Sequence, residues 1–151
     1  MDNQLIKQVQ NINCLVSEID CLYHQISLKL GLSDSKSRIL YTLYINGNAC
    51  PISKIYKQSG IKKQTVNSAL RKLEMEEIVA LEQIDGRAKL VKFTDKGREY
   101  AKNTIAKLVD KELNAYKCFD EDQIKQYLAL NEKFMNALKN ELDNMQEEDS
   151  K

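Results

Sequence analysis

The 151-residue sequence holds one proline, five glycines, one histidine and no tryptophan, and each scarcity narrows what the chain can be. Few helix breakers favour helices and argue against collagen-like or low-complexity structure. With His24 as the lone histidine, most acid-base and metal schemes fall away, and no phosphate-cradling glycine loop or nucleophile elbow is present, so no enzyme is expected. The cysteines Cys14, Cys21, Cys50 and Cys118 form no C-x-x-C pair, so neither a metal site nor a cofactor is expected. If Cys14 and Cys21 share a helix they lie about 10 Å apart, beyond disulfide reach, which points to reduced thiols. The longest aliphatic run, residues 78–81, is far short of the roughly 20 residues of a membrane span. Met1-Asp2-Asn3-Gln4 lacks the basic and apolar regions of a secretory signal. A cytoplasmic protein with no membrane partner is expected.

What is present is a chain of one-domain length with 42% apolar and 30% charged residues, enough to bury a core. The net charge of +1 hides a division along the sequence: residues 51–100 carry eleven basic and seven acidic side chains, whereas 110–151 carry six and eleven. Within 51–73, Lys54, Lys57, Lys62, Lys63, Arg71 and Lys72 occur with no acidic residue, a local cationic surface.

Leu5, Val9, Ile12, Val16, Ile19, Tyr23, Ile26 and Leu30 alternate spacings of four and three, the seam of a long amphipathic helix that Gly31 can stop. Leu15 and Leu22 widen the stripe beyond what one neighbouring helix would cover. Ser33 can cap a second helix with Ile39, Leu40 and Leu43 inward, ending at Asn46-Gly47-Asn48. Pro51 suits the first turn of a short third helix with Ile52, Ile55 and Tyr56 on one face and a break at Ser59-Gly60. A fourth helix follows at once with Val66, Leu70 and Leu73 inward, and the pair reads as helix-turn-helix. Residues 78–84 and 87–93 then read as strands flanking Asp85-Gly86, a type I′ hairpin signal that would pair Glu82 with Lys89, Ala80 with Val91 and Ile78 with Phe93. Thr94 can cap a long fifth helix through Ala101, Ile105, Leu108 and Tyr116. Asp120 can cap a sixth, with Ile124, Tyr127, Leu128, Phe134, Leu138, Leu142 and Met145 as its stripe.

The expected fold class is therefore mainly α (α+β). A winged helix-turn-helix domain spans 33–96, helical dimerisation regions span 1–32 and 97–146, and a frayed acidic tail covers 147–151. Leu5, Val9, Ile12, Val16, Ile124, Leu128, Leu138 and Leu142 are the candidate dimerisation residues, because their apolar faces need a partner that a second copy supplies.

On the fourth helix, Gln64, Asn67, Ser68 and Arg71 line the face opposite the apolar stripe, with Thr65 beside them. All are hydrogen-bonding groups without negative charge, as a helix reading base edges in a major groove requires. Lys62 and Lys63, with Lys54 and Lys57 on the preceding helix, can hold the flanking phosphates, Lys72 is a further candidate DNA-binding residue, and Arg87 and Lys89 can carry the hairpin, or wing, onto double-stranded DNA.

The stretch 30–100 resembles the MarR family of winged-helix transcriptional regulators. The likeness runs through Leu30-Gly31-Leu32-Ser33, through Gly60-Ile61 with Gln64-Thr65-Val66 and Leu73-Glu74, and most specifically through Asp85-Gly86-Arg87, similar to the family's D-x-R wing signature. Phe93-Thr94-Asp95-Lys96-Gly97 is similar to its L-T-x-K-G. Two departures stand out: the wing is short, and Glu77 occupies a position where the family often has glycine. The resemblance implies an obligate homodimer with interlocked terminal helices, recognition helices in successive major grooves of a pseudo-palindromic site, and Arg87 in the minor groove. It also implies release by a small-molecule effector, for which Tyr23, His24, Tyr41 and Tyr44 are the candidate pocket, or by cysteine oxidation. A protein-interaction winged helix without specific DNA binding, a PadR-like regulator and a thiol-based redox sensor remain as alternatives.

Overall fold

A computed structural model describes residues 3–86 and 88–148. Along the chain run α1 (Asn3–Lys29), α2 (Asp34–Ile45), β1 (Ala49–Pro51), α3 (Ile52–Gln58), α4 (Lys63–Met75), β2 (Val79–Asp85), β3 (Ala88–Phe93), α5 (Asp95–Asn103), α6 (Ile105–Tyr116) and α7 (Glu121–Glu148). Two compact units result, Met1–Lys111 and Glu112–Lys151. The first is a winged helix-turn-helix with α1 leading into it.

Its core forms where the inward stripes of α2, α3 and α4 meet the sheet. Ile39, Leu40, Leu43, Ile55, Val66, Leu73 and Val91 are fully shielded from solvent there. Such burial removes apolar area from water and supplies most of the driving force for folding. Ser33 caps α2 by accepting from the Lys36 N–H, and Gly31, at φ +71, takes the left-handed conformation that ends the preceding helix. The α1 seam divides along its length: Tyr23, Ile26 and Leu30 pack against the core, while Leu5, Val9, Ile12, Val16 and Ile19 stay exposed. Ser27 and Ser37, both buried, share a hydroxyl hydrogen bond of 2.9 Å between α1 and α2.

The sheet departs from the expected hairpin in two ways. It has three antiparallel strands in the order β1-β3-β2, the extra strand being Ala49–Pro51, with Cys50 opposite Val91. Three residues are too few to show a period of two, and Pro51 is tolerated because β1 is an edge. Pro51 consequently sits at the N-cap of α3, one residue before its first turn. The hairpin register is also shifted by one residue, with Val79 opposite Phe93, Leu81 opposite Val91, Glu82 opposite Leu90 and Gln83 opposite Lys89. An irregularity between Gln83 and Asp85 leaves Asp85 facing Ala88, so Asp85 is the last strand residue rather than the first turn residue. The shift aligns the most buried residues, Val79, Val91 and Phe93, and a one-residue slip would move the apolar set off the core face. Glu82 instead pairs with Lys92, its diagonal neighbour.

The expected long fifth helix is two helices. Thr104 breaks it at φ −126, ψ −89, where its hydroxyl donates to the Tyr100 carbonyl at 2.7 Å and the Asn103 amide donates to the Glu99 carbonyl at 3.1 Å. Side chains that take backbone carbonyls in this way compete with the helical ladder, and the break leaves Ala101, Ile105 and Leu108 all buried. In the second unit, Asp120 and Gln123 cap α7 reciprocally, the Gln123 N–H donating to Asp120 Oδ1 at 2.8 Å and the Asp120 N–H to Gln123 Oε1 at 3.0 Å. Helix α7 continues through Glu148, so the expected frayed tail begins no earlier than residue 149; residues 149–151 lie outside the described ones.

Where α4, the sheet and α5 meet, backbone comes close to backbone. The Thr94 N–H donates to the Ile78 carbonyl at 3.1 Å, the Thr94 hydroxyl donates to the Glu77 carbonyl at 2.5 Å, and Thr94 Oγ1 caps α5 by accepting from the Gly97 N–H at 2.9 Å. A Cβ on Gly97 would stand 1.8 Å from the Ile78 carbonyl oxygen, so only glycine fits. Glu77, the departure noted in the sequence, occupies the left-handed region at φ +59. Gly97→Ala is therefore expected to destabilise the fold by about 2 kcal/mol or more, and Glu77→Gly to stabilise it by about 0.5 to 1 kcal/mol. Urea unfolding followed by circular dichroism checks both; a Gly97→Ala midpoint equal to the parent's would show that α5 does not seat against Ile78.

Candidate nucleic-acid interface

Helix α4 divides sharply. Val66, Leu70 and Leu73 are buried, whereas Gln64, Thr65, Asn67, Ser68, Arg71 and Lys72 are exposed, as the spacing predicts. Its start is unusual, because Lys62 at the N-cap makes no side-chain capping bond and Lys63 follows in the first turn. The helix thus places two ammonium groups at the positive end of its own dipole, a cost to folding that an anion would relieve. The free N–H groups of that first turn and the lysines form a cationic corner of the kind that receives phosphate. Lys54 and Lys57 on α3 are exposed as well.

Tyr56 joins α3 to this face. The Tyr56 hydroxyl donates to Asn67 Oδ1 at 2.7 Å, and Lys63 Nζ lies 5.6 Å from the centre of the Tyr56 ring. Helical spacing alone places Tyr56 in the inward stripe of α3. The available signal was its hydroxyl, since a tyrosine at the edge of a core needs a polar partner where phenylalanine would not. Eleven residues and a turn separate Tyr56 from Asn67, so no helical spacing could name that partner.

Glu74, in the last turn of α4, is exposed, whereas the next two acidic groups are engaged by lysines. Lys36 meets Glu76 at 2.6 Å and Lys96 meets Glu77 at 3.2 Å. Partial burial alone would lower the Lys36 pKa, but the bond and charge of Glu76, with Tyr100 beside them, outweigh it and hold the ammonium above the ordinary lysine value.

On the wing, Lys89 is exposed, whereas Lys92 is engaged by Glu82. Gly86 follows Asp85 at φ +49, and its carbonyl accepts from the Gln83 side chain. Arg87, the expected minor-groove residue, lies outside the described residues.

The pattern described as the MarR family matches residues 32–89, from two residues before α2 into the start of β3. The chain is 30% identical over 112 residues to the HTH-type transcriptional regulator TcaR of Staphylococcus aureus (strain Newman), covering 71% of each protein. The chain belongs to the MarR family of transcriptional regulators. Among solved structures, a MarR family regulator from Neisseria meningitidis is similar at TM-score 0.76 and 19% identity, over 94% of this chain and 98% of that one. A DNA complex of Staphylococcus aureus MepR is similar at TM-score 0.60 and 18% identity, over 91% and 98%.

MarR membership replaces the PadR-like alternative and places the chain in a family of DNA-binding transcriptional regulators, which is not an enzyme class. No helix among the described residues is long and apolar enough to cross a membrane, and no group of three or more potential metal ligands occurs among them. Of the expected effector residues, Tyr23, Tyr41 and Tyr44 pack part-buried against the core, while His24 is exposed with Nδ1 2.8 Å from Asp34 Oδ1. The structure therefore uses the three tyrosines as edges of the core. The expected dimerisation residues Leu5, Val9, Ile12 and Val16 on α1, and Ile124, Leu128, Leu138 and Leu142 on α7, are all exposed in the single chain.

The cysteines are free, with Cys14, Cys21 and Cys118 exposed and Cys50 buried in β1. Burial pushes the Cys50 thiol up and Lys54 only partly offsets it, the reverse of what a thiolate sensor needs. A folded-state pKa above the unfolded one means that Cys50 favours the fold below its unfolded value and loses that contribution as pH rises through the raised one. In native protein at neutral pH, Cys50 is expected to be the last of the four alkylated by iodoacetamide, with the difference vanishing in denaturant. Peptide mapping after timed quenches measures this, and labelling of native Cys50 as fast as in denaturant would contradict its burial.

Proposed function

We propose that the protein is a cytoplasmic homodimeric repressor that binds a pseudo-palindromic site in double-stranded DNA. Helix α4 enters the major groove, Lys54, Lys62, Lys63 and Lys72 hold phosphates, and Lys89 and Arg87 carry the wing to the adjacent backbone and minor groove. The carrying observation is the face of α4: from Lys63 to Lys72 every outward group is neutral or cationic, Glu74 in the last turn being the one exposed acid of the helix, and the helix begins on two lysines without a side-chain cap. A solvated helix face gains nothing from that arrangement, whereas a phosphate backbone compensates for it.

Homodimerisation is supported by the apolar rows left exposed on α1 and on α7, more than scattered surface hydrophobics explain. The reading includes a small-molecule effector at Tyr23, His24, Tyr41 and Tyr44, supported by the part-exposed tyrosine rings where α1 meets α2. Sedimentation at micromolar concentration should show a species of twice the 17.4 kDa chain mass, and a purely monomeric profile would remove the dimer from the proposal.

Selecting bound sequences from random duplex DNA tests the rest. Arg71→Ala should cost about 1 to 3 kcal/mol on the selected site and relax preference at one position, whereas Lys62→Ala should weaken all duplexes alike and lower the salt slope by about one. Arg87→Ala should lose most affinity on duplexes with A·T-rich flanks, where the minor groove is narrow. No detectable DNA binding at low salt would instead favour a protein-interaction module.

A further inference from the structure

The Tyr56 bond bears on which base the proposed recognition face reads, and the inference rests on that reading. A free asparagine amide offers both an acceptor, Oδ1, and two donors on Nδ2, and can engage adenine bidentately by accepting from N6 while donating to N7. In this protein one of the two lone pairs of Oδ1 is taken and the oxygen is held in one direction. The Tyr56 hydroxyl donates to Asn67 Oδ1 at 2.7 Å, which turns that oxygen toward α3 and sets the plane of the amide. Because oxygen and nitrogen diverge from the same carbon, the bond directs Nδ2 away from Tyr56.

We propose that Tyr56 is a specificity-determining positioning residue: by turning Oδ1 toward α3 it leaves the Nδ2 donors as the group that Asn67 presents to a base, matched to guanine, whose major-groove edge presents the two acceptors O6 and N7. Tyr56 need not touch the base to do this. Its ring stays in place at the edge of the core with Lys63 Nζ above it, so the phosphate-holding and base-orienting functions of the residue are separable. Removing only the hydroxyl leaves the ring, its packing and the Lys63 contact. Asn67 is then free to rotate and to accept from adenine N6.

The test is selection from random duplex DNA with four full-length proteins: wild type, Tyr56→Phe, Asn67→Ala and the double variant. Thermal melting and the salt slope are recorded for each. Asn67→Ala, a change at an exposed position, identifies the base pair that Asn67 reads. At that pair wild type should prefer guanine, and Tyr56→Phe should move the ratio toward adenine by about fivefold to tenfold, the low end of one good base contact. The melting temperature and the salt slope should stay at wild-type values. In the Asn67→Ala background, Tyr56→Phe should change nothing further. A purely structural tyrosine would shift melting or total affinity without altering the base ratio at a single position. The inference is overturned if Tyr56→Phe leaves the base profile unchanged or its effect persists without Asn67. It is equally overturned if wild type already selects adenine at that pair, or if Asn67→Ala changes no position. Failure of the wild type to select any sequence would overturn the proposed function together with it, whereas retained selection with any of the other results removes this inference alone.

Discussion

The Ile78 carbonyl is the point on which the winged domain is organised. It accepts from the Thr94 N–H, and it lies so close to Gly97 that no side chain fits between them. One peptide group therefore joins the end of α4, the base of the wing and the start of α5. The left-handed Glu77 just before it turns the chain from α4 into β2 within three residues of the helix end. Since β3 leads directly into Thr94, the length and register of the wing are measured from this junction. A winged helix needs its recognition helix and wing in a fixed relation, and here backbone contacts set it.

The side of α4 proposed to face DNA shows a complementary economy. Good helix design would place an acidic or hydroxyl side chain at the N-terminus, yet this helix begins with Lys62 and Lys63. Its fold tolerates them because the buried row of Val66, Leu70 and Leu73 holds the helix by packing. Stability comes from one side of the helix, which frees the other for the proposed contact with a polyanion. Beyond Leu73, Glu76 is paired with Lys36 and Glu77 with Lys96, which leaves Glu74 as the exposed carboxylate of α4, at the end opposite the cationic corner.

Helices α1 and α7 present the opposite condition, with apolar rows that the single chain leaves open. On α1 the row changes function along its length, from open to solvent at Leu5 to packed against the core at Leu30. Nothing in the heptad spacing marks where that change occurs.

Local pattern was enough for the starts of the capped helices and for the buried row of α4: Ser33, Thr94 and Asp120 cap where their chemistry predicts, and Val66, Leu70 and Leu73 follow their spacing. Wing existence, the exposed polar face and the acid-free stretch are likewise properties of neighbouring residues, so the sequence alone determined the winged-helix class and its candidate DNA face. Tertiary structure decided what depends on residues far apart. The hairpin register moved by one because Val79, Leu81, Val91 and Phe93 had to face a common core, a condition stronger than the turn preference of Asp85-Gly86. Strand β1 exists only because β3 is there to bond it, and the break at Thr104 lets Ala101 and Leu108 both reach the interior. The Tyr56 contact with Asn67 belongs to the same group, for its two halves lie on different helices and meet only when the turn between them closes.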